Sequence, residues 1–220
     1  MSRTVAGVAL CVLAAALVAV GQDTTFVPAQ YRAGTLPVLP TTAVGGGEVL
    51  LDAAVDLRGN VTGVTPLRAT PPFTEMFANA IQGWSFRPAR DQGTYSASHV
   101  LVAVVVRPPA LTFPSTHGEP AQDVAAPRAE LPVPVTLVTP AYPPMAHRSG
   151  VVLIETRIDT AGRVTRVRVM LSAPPFDSPA SDAAWQCTFR PARLHGTPAE
   201  SIAYLAFGFP EIVTTPSPTP

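Results

Sequence analysis

Phe86-Arg87-Pro88-Ala89-Arg90 recurs as Phe189-Arg190-Pro191-Ala192-Arg193, 103 positions further along a chain of 220 residues. The same offset, without a gap, carries Asp56 onto Asp159, Gly59 onto Gly162, Val61-Thr62 onto Val164-Thr165 and Val64 onto Val167. It also carries Pro71-Pro72-Phe73 onto Pro174-Pro175-Phe176, Ala80 onto Ala183 and Gly93-Thr94 onto Gly196-Thr197. A pentapeptide can repeat by chance, but a whole register of matches at one spacing marks two copies of one small module. Each copy covers about 60 residues (Glu48–Arg107 and Val151–Pro210), a size at which a core is only just sufficient.

Outward from the phrase, each copy reads strand, turn, strand, helix, turn, strand. In the second copy Val152, Ile154, Thr156 and Ile158 alternate with Leu153, Glu155 and Arg157, the period-2 pattern of a half-buried strand. Asp159-Thr160-Ala161-Gly162 is a turn in which glycine supplies positive φ, and Val167, Val169 and Leu171 form the returning strand. The first copy matches with Val49, Leu51, Ala53 and Val55, then Asp56-Leu57-Arg58-Gly59. Its second strand contains Pro66, which removes a ladder donor and belongs at an edge or a strand end. Phe73, Phe77, Ala80, Ile81 and Trp84 then mark one helical face, matched by Phe176, Ala180, Ala183, Ala184 and Cys187. Ser178 reads as the N-cap of the second helix and Pro179 as its first residue.

The phenylalanine of the repeated phrase anchors the return to the sheet. Arg87 and Arg190, each before a proline, are expected to be solvated turn residues. The last strands are His99–Val106 and Ile202–Phe209, with Val100, Val102, Val104 and Val106 equivalent to Ala203, Leu205, Phe207 and Phe209 on the inner face. The fold class read from these residues is α+β: two tandem modules, each an antiparallel β-β-α-β sheet on a helix.

Residues 1–21 read as an export signal, with Arg3 at the start, an apolar run over Val5–Val20 and a small-residue site at Ala19-Val20-Gly21. An uncleaved membrane anchor is the alternative, the run being near the lower limit for a spanning helix. With cleavage the mature chain keeps one cysteine, Cys187, so no intramolecular disulfide is available, and a buried core position suits it better than a reactive thiol. Ten prolines lie within the 37 residues of Pro108–Pro144, so 108–139 is expected to be a semi-rigid spacer. The Thr/Ser/Pro tail at 211–220 reads as disordered. The expected division is therefore a leader over 1–21, modules over 36–107 and 140–210, the spacer and the tail.

The formal charge is zero, and the 15 basic residues are all arginines scattered along the chain, which argues against nucleic-acid binding. His99, His117, His147 and His195 show no ligand spacing, so no metal is expected. With no phosphate loop, G-x-S-x-G elbow or C-x-x-C, and no acid–base constellation, neither a cofactor nor enzymatic catalysis is expected.

The second copy resembles the C-terminal domain of TonB, the periplasmic protein that couples inner-membrane energy to outer-membrane receptors. Tyr142-Pro143-Pro144-Met145-Ala146 and Gly150 look like that family's opening Tyr-Pro, Ala and Gly. Ile158-Asp159, Gly162 and Val164 look like its hairpin, and Ala183-Ala184 with Phe189-Arg190-Pro191-Ala192 look like its helix end and following signature. The first copy has Leu39-Pro40 at the opening but keeps Trp84 where the family usually has tryptophan. The resemblance implies a small antiparallel sheet on a helix, whose last strand offers an edge to an extended receptor peptide.

Carried onto this sequence, that edge comprises Ile202, Ala203, Tyr204, Leu205, Ala206 and Phe207. The expected role is a periplasmic or cell-envelope protein that binds an envelope protein or receptor peptide by strand addition, linked to TonB-type transport. The alternative is a non-energised envelope scaffold bridging two partners through its spacer. Membrane association is expected only if the leader is retained. Pairing of the edge within the chain, or in a homodimer, is the competing reading of Ile202–Phe209.

Overall fold

The computed structural model describes residues 26–40, 45–108, 122–144, 146 and 148–211. The expected leader at 1–21 and nearly all of the tail lie outside them. The first repeat contains β1 (Gln30–Ala33), β2 (Gly47–Val55), β3 (Val61–Ala69), α1 (Phe73–Gln82), β4 (Ser85–Arg87), β5 (Ala89–Asp91), β6 (Thr94–Ser96) and β7 (Ser98–Val106). After β8 (Gln122–Asp123), the second contains β9 (Val133–Thr136), β10 (Gly150–Ile158), β11 (Val164–Leu171), α2 (Asp177–Gln186), β12 (Thr188–Arg190), β13 (Ala192–Leu194), β14 (Thr197–Ala199) and β15 (Ser201–Phe209).

These elements are not two modules in tandem. Seven strands form one sheet in the order β11-β10-β15-β7-β2-β3-β8. The last strands of the two repeats meet at its centre, running parallel from Ala203 opposite Leu101 to Gly208 opposite Val106. Every other neighbouring pair in this sheet is antiparallel. The physical reason lies in β7 and β15, which are apolar on both faces. Val100, Val102, Val104 and Val106 pack with Phe73, Phe77 and Ile81 of α1, whereas Leu101, Ala103 and Val105 pack with Phe176 and Ala180 of the other half. In return Ile202, Tyr204 and Ala206 complete the first core, while Ala203, Leu205 and Phe207 stay in the second. The helices therefore cover opposite faces of a shared sheet, and each core borrows side chains from the other repeat. Strands buried on both faces read as near-continuous apolar runs, and all nine residues of β15 are buried.

The repeat extends further upstream than sequence identity shows. β1 pairs with β4 through Tyr31 opposite Phe86, and β9 pairs with β12 through Pro134 opposite Phe189, equivalent positions at the 103-residue offset. β5–β6 and β13–β14 are equivalent short hairpins, with positive φ at Gln92-Gly93 and His195-Gly196, as a type I′ turn requires. Residues 109–121 of the expected spacer at 108–139 lie outside the described residues; the remainder contributes β8 on the edge of β3, β9 and the buried Leu131.

The link between the turn and the repeated phrase is direct. The Phe86 N–H donates to the Gly59 carbonyl at 2.7 Å, and the Phe189 N–H donates to the Gly162 carbonyl at 2.9 Å. A Cβ on either glycine, both at positive φ, would lie 1.8 Å from the phenylalanine carbonyl oxygen. The two motifs recur together because one is built against the other.

Phe73, Phe77 and Ile81 are buried on α1, and Ala180, Ala183 and Ala184 on α2. Ser178 does not cap α2, which begins one residue earlier. The Asp177 carboxylate instead accepts the Ala173 N–H at 2.8 Å and the Ser172 hydroxyl. Pro179 still falls in the first turn, where no N–H is needed. Pro66 lies on β3, beside the sheet's edge, and Arg87 and Arg190 are exposed.

Candidate functional site

Ile202, Ala203, Tyr204, Leu205, Ala206 and Phe207, the expected docking edge, lie in the middle of the sheet. β15 is bonded to β10 on one side and to β7 on the other, so it has no open edge for a peptide. The edge is filled by the equivalent strand of the first repeat, the pairing within the chain that was the competing reading of Ile202–Phe209.

Tyr204 has a structural task there. Its hydroxyl accepts the Tyr31 N–H at 2.6 Å and donates to Glu155 Oε2 at 3.1 Å. Burial first, and the Glu155 charge second, push its pKa up, so it stays a neutral donor. Asp52 occupies the position equivalent to Glu155 and is 5% exposed. His99 Nδ1 lies 2.6 Å from one of its oxygens, and Arg128 Nε donates to the other at 3.1 Å. Asp52 thereby holds Arg128 from the chain that precedes the second repeat, while Glu155 meets β1 only through the Tyr204 hydroxyl. Cys187 is 1% exposed; burial raises the thiol's pKa, as suits an inert core residue.

The outer strands differ from each other. On the first repeat's side, β3 carries Pro66 and Gly63 and is capped near its end by β8. Asp123 of β8 accepts from Arg68 Nε at 2.8 Å. On the second repeat's side, β11 has no strand beyond it among the described residues. None of its eight residues is buried, and it contains neither proline nor glycine. Arg166 of β11 stands directly opposite Arg157 of β10, both exposed, with no acid among the described residues bonded to either guanidinium. Like charges placed directly across a ladder oppose each other. Arg168, the next arginine on that face, pairs with Glu155 at 3.3 Å.

A cleft of about 690 Å³ opens where β7 and β15 begin, between the two short hairpins. Equivalent residues face each other across it: Ser98 and Ser201, His99 and Ile202, Gln92 and His195. The Ser98 and Ser201 hydroxyls are buried without a hydrogen-bond partner. Among the described residues no three His, Cys, Asp or Glu groups gather as a metal would need, and no helix is long and apolar enough to cross a membrane.

No family model matches the chain, and no curated protein matches it. The site must therefore be read from its own geometry.

Proposed function

We propose that the protein is a cell-envelope adaptor that binds a partner by strand addition, the added strand being an extended, acidic segment laid along the outer edge of β11. The observation that carries this reading is the unpaired Arg157–Arg166 couple beside a long open edge. An edge of this kind offers a row of backbone donors and acceptors. An acidic side chain arriving with the strand would relieve the arginine–arginine repulsion and form charge-assisted bonds. The molecule already holds one such arrangement, because Asp123 of β8 meets Arg68 beside β3.

The envelope setting, and a link to TonB-type transport, rest on the leader and on the motifs of the second repeat. A non-energised adaptor role uses the same edge. The fused sheet disfavours bridging by two independently tethered modules, since neither repeat closes its core alone.

A short peptide of alternating Asp and Val tests the reading. Its binding should slow hydrogen exchange at β11 amides 164–171 while leaving β15 amides unchanged. Protection confined to other strands would refute strand addition at β11.

A further inference from the structure

We propose that Trp185 is the specificity-determining contact of the β11 edge, selecting a partner strand that carries an apolar side chain on its α2 side beside the acid on its other side. The inference rests on the reading of β11 as the docking strand, and it defines the second face of the strand that docks.

Two observations place Trp185 beside that edge. Residue 185 is equivalent to Gln82 at the 103-residue offset, and the Gln82 amide donates to the carbonyl of Val61, the first residue of β3, at 3.0 Å. The equivalent of Val61 is Val164, the first residue of β11. Arg163, just before β11, also bridges to Thr188, three residues beyond Trp185. The end of α2 therefore lies over the start of the open strand. Trp185 is half exposed there. Tyr95, the other exposed aromatic ring among the described residues, is covered by the Arg90 guanidinium at 4.6 Å.

The two repeats differ along this edge in a consistent direction. Gly63, Pro66 and Gln82 of the first are replaced by Arg166, Val169 and Trp185 in the second. Pro66 takes a backbone donor from β3 and Gln82 occupies a backbone acceptor, so both work against a further strand. Val169 restores the donor, and Trp185 makes no hydrogen bond to Val164.

Arg166 and Trp185 lie on opposite sides of the sheet. Arg166 and Arg157 share the side of Leu153 and the first core, whereas α2 packs with Ile154 and Ile158 on the other. Successive side chains of a strand point to opposite faces. A strand that turns an acid toward Arg166 thus turns the neighbouring residue toward Trp185. A tryptophan offers a large, rigid contact area, and such rings dominate interface energetics.

The test is calorimetric titration of the full chain with alternating Asp–Val and Asp–Thr peptides of equal length. Valine and threonine are both β-branched, so the comparison isolates the apolar contact. The unmodified chain should bind the Asp–Val peptide about tenfold more tightly, as suits one aromatic contact. Trp185→Gln should collapse that preference without lowering the melting temperature, because glutamine here can donate to the Val164 carbonyl as Gln82 does to Val61. Trp185→Phe should keep most of the preference. Equal affinity of the unmodified chain for the two peptides, or a full preference retained in Trp185→Gln, would overturn this assignment. Protection of β11 amides 164–171 by either peptide would then leave the docking edge standing. Protection by neither would remove the edge and this contact together.

Discussion

The Tyr204 hydroxyl accepts the backbone N–H of Tyr31 at 2.6 Å, across 173 residues of sequence. It joins the last strand of the second repeat to the first strand of the first, among the rings of Phe86 and Trp84. Phe86 lies 5.7 Å from Tyr204 and Trp84 lies 5.2 Å from Tyr31, both edge-on. Tyr204→Phe leaves that packing in place but orphans a buried N–H, at a cost of about 1–3 kcal/mol. Denaturant unfolding should show a lower midpoint with an unchanged slope.

The shared cores predict that both repeats unfold together. Trp84 reports on the first repeat and Trp185, half exposed, on the second. Fluorescence of Trp185→Phe and Trp84→Phe variants should each give a single transition whose midpoint coincides with that of the same variant's far-UV dichroism. Two separated transitions within either variant would mean independent modules.

Phe189 is 4% exposed within the second core, so Phe189→Ala should cost about 3–5 kcal/mol. Ala206→Pro is the sharper test of topology. On a free edge it would leave the fold intact, but on a strand paired on both sides it removes a ladder donor and should abolish cooperative melting.

Gly162→Ala places a Cβ against the Phe189 carbonyl at a φ of +81°. Strain of this type costs about 1–3 kcal/mol before the clash is counted. Thermal melts should show a much larger drop than Gly196→Ala gives, because nothing lies near the Cβ position of Gly196 even though its φ is also +81°.

Asp56 and Asp159 have pKa values held below the usual carboxylate range. The backbone N–H of Asn60 and of Arg163, respectively, is the leading cause. A lowered folded value means that the stabilisation is complete above the unfolded value, about 3.9. It is lost as pH falls from there through the folded value. Stability should therefore decline below about pH 4. Asp159→Asn should flatten that decline, as a melting series from neutral to acid pH would show.

The local elements were legible because short-range rules govern them. Asp159 to Gly162 specified a turn, period-2 residues specified β10, and Phe73, Phe77 and Ile81 specified the buried face of α1. The union of the repeats was harder to see. His99–Val106 and Ile202–Phe209 each satisfy an alternating template on one face, and their apolar residues on the other face were the unused signal. Leu101, Ala103 and Val105 mark a strand buried from both sides. β1 and β9 escaped because Tyr31 and Pro134 share position without sharing identity. The axial cleft was not legible either, since Ser98, His99 and Ser201 meet only once the repeats are joined. The open edge of β11 does not depend on the union, since among the described residues β11 pairs only with β10; the union closes the other edge, that of β15.

Reversing one charge on that edge tests the central claim most directly. Arg166→Glu replaces a repulsive cross-strand pair with an attractive one opposite Arg157, so the fold should gain about 0.2–1 kcal/mol. The same change should abolish binding of the alternating Asp–Val peptide and the protection of β11 amides 164–171. A variant that is more stable and yet does not bind is the predicted result. Undiminished peptide binding by Arg166→Glu would contradict the assignment of β11 as the docking strand.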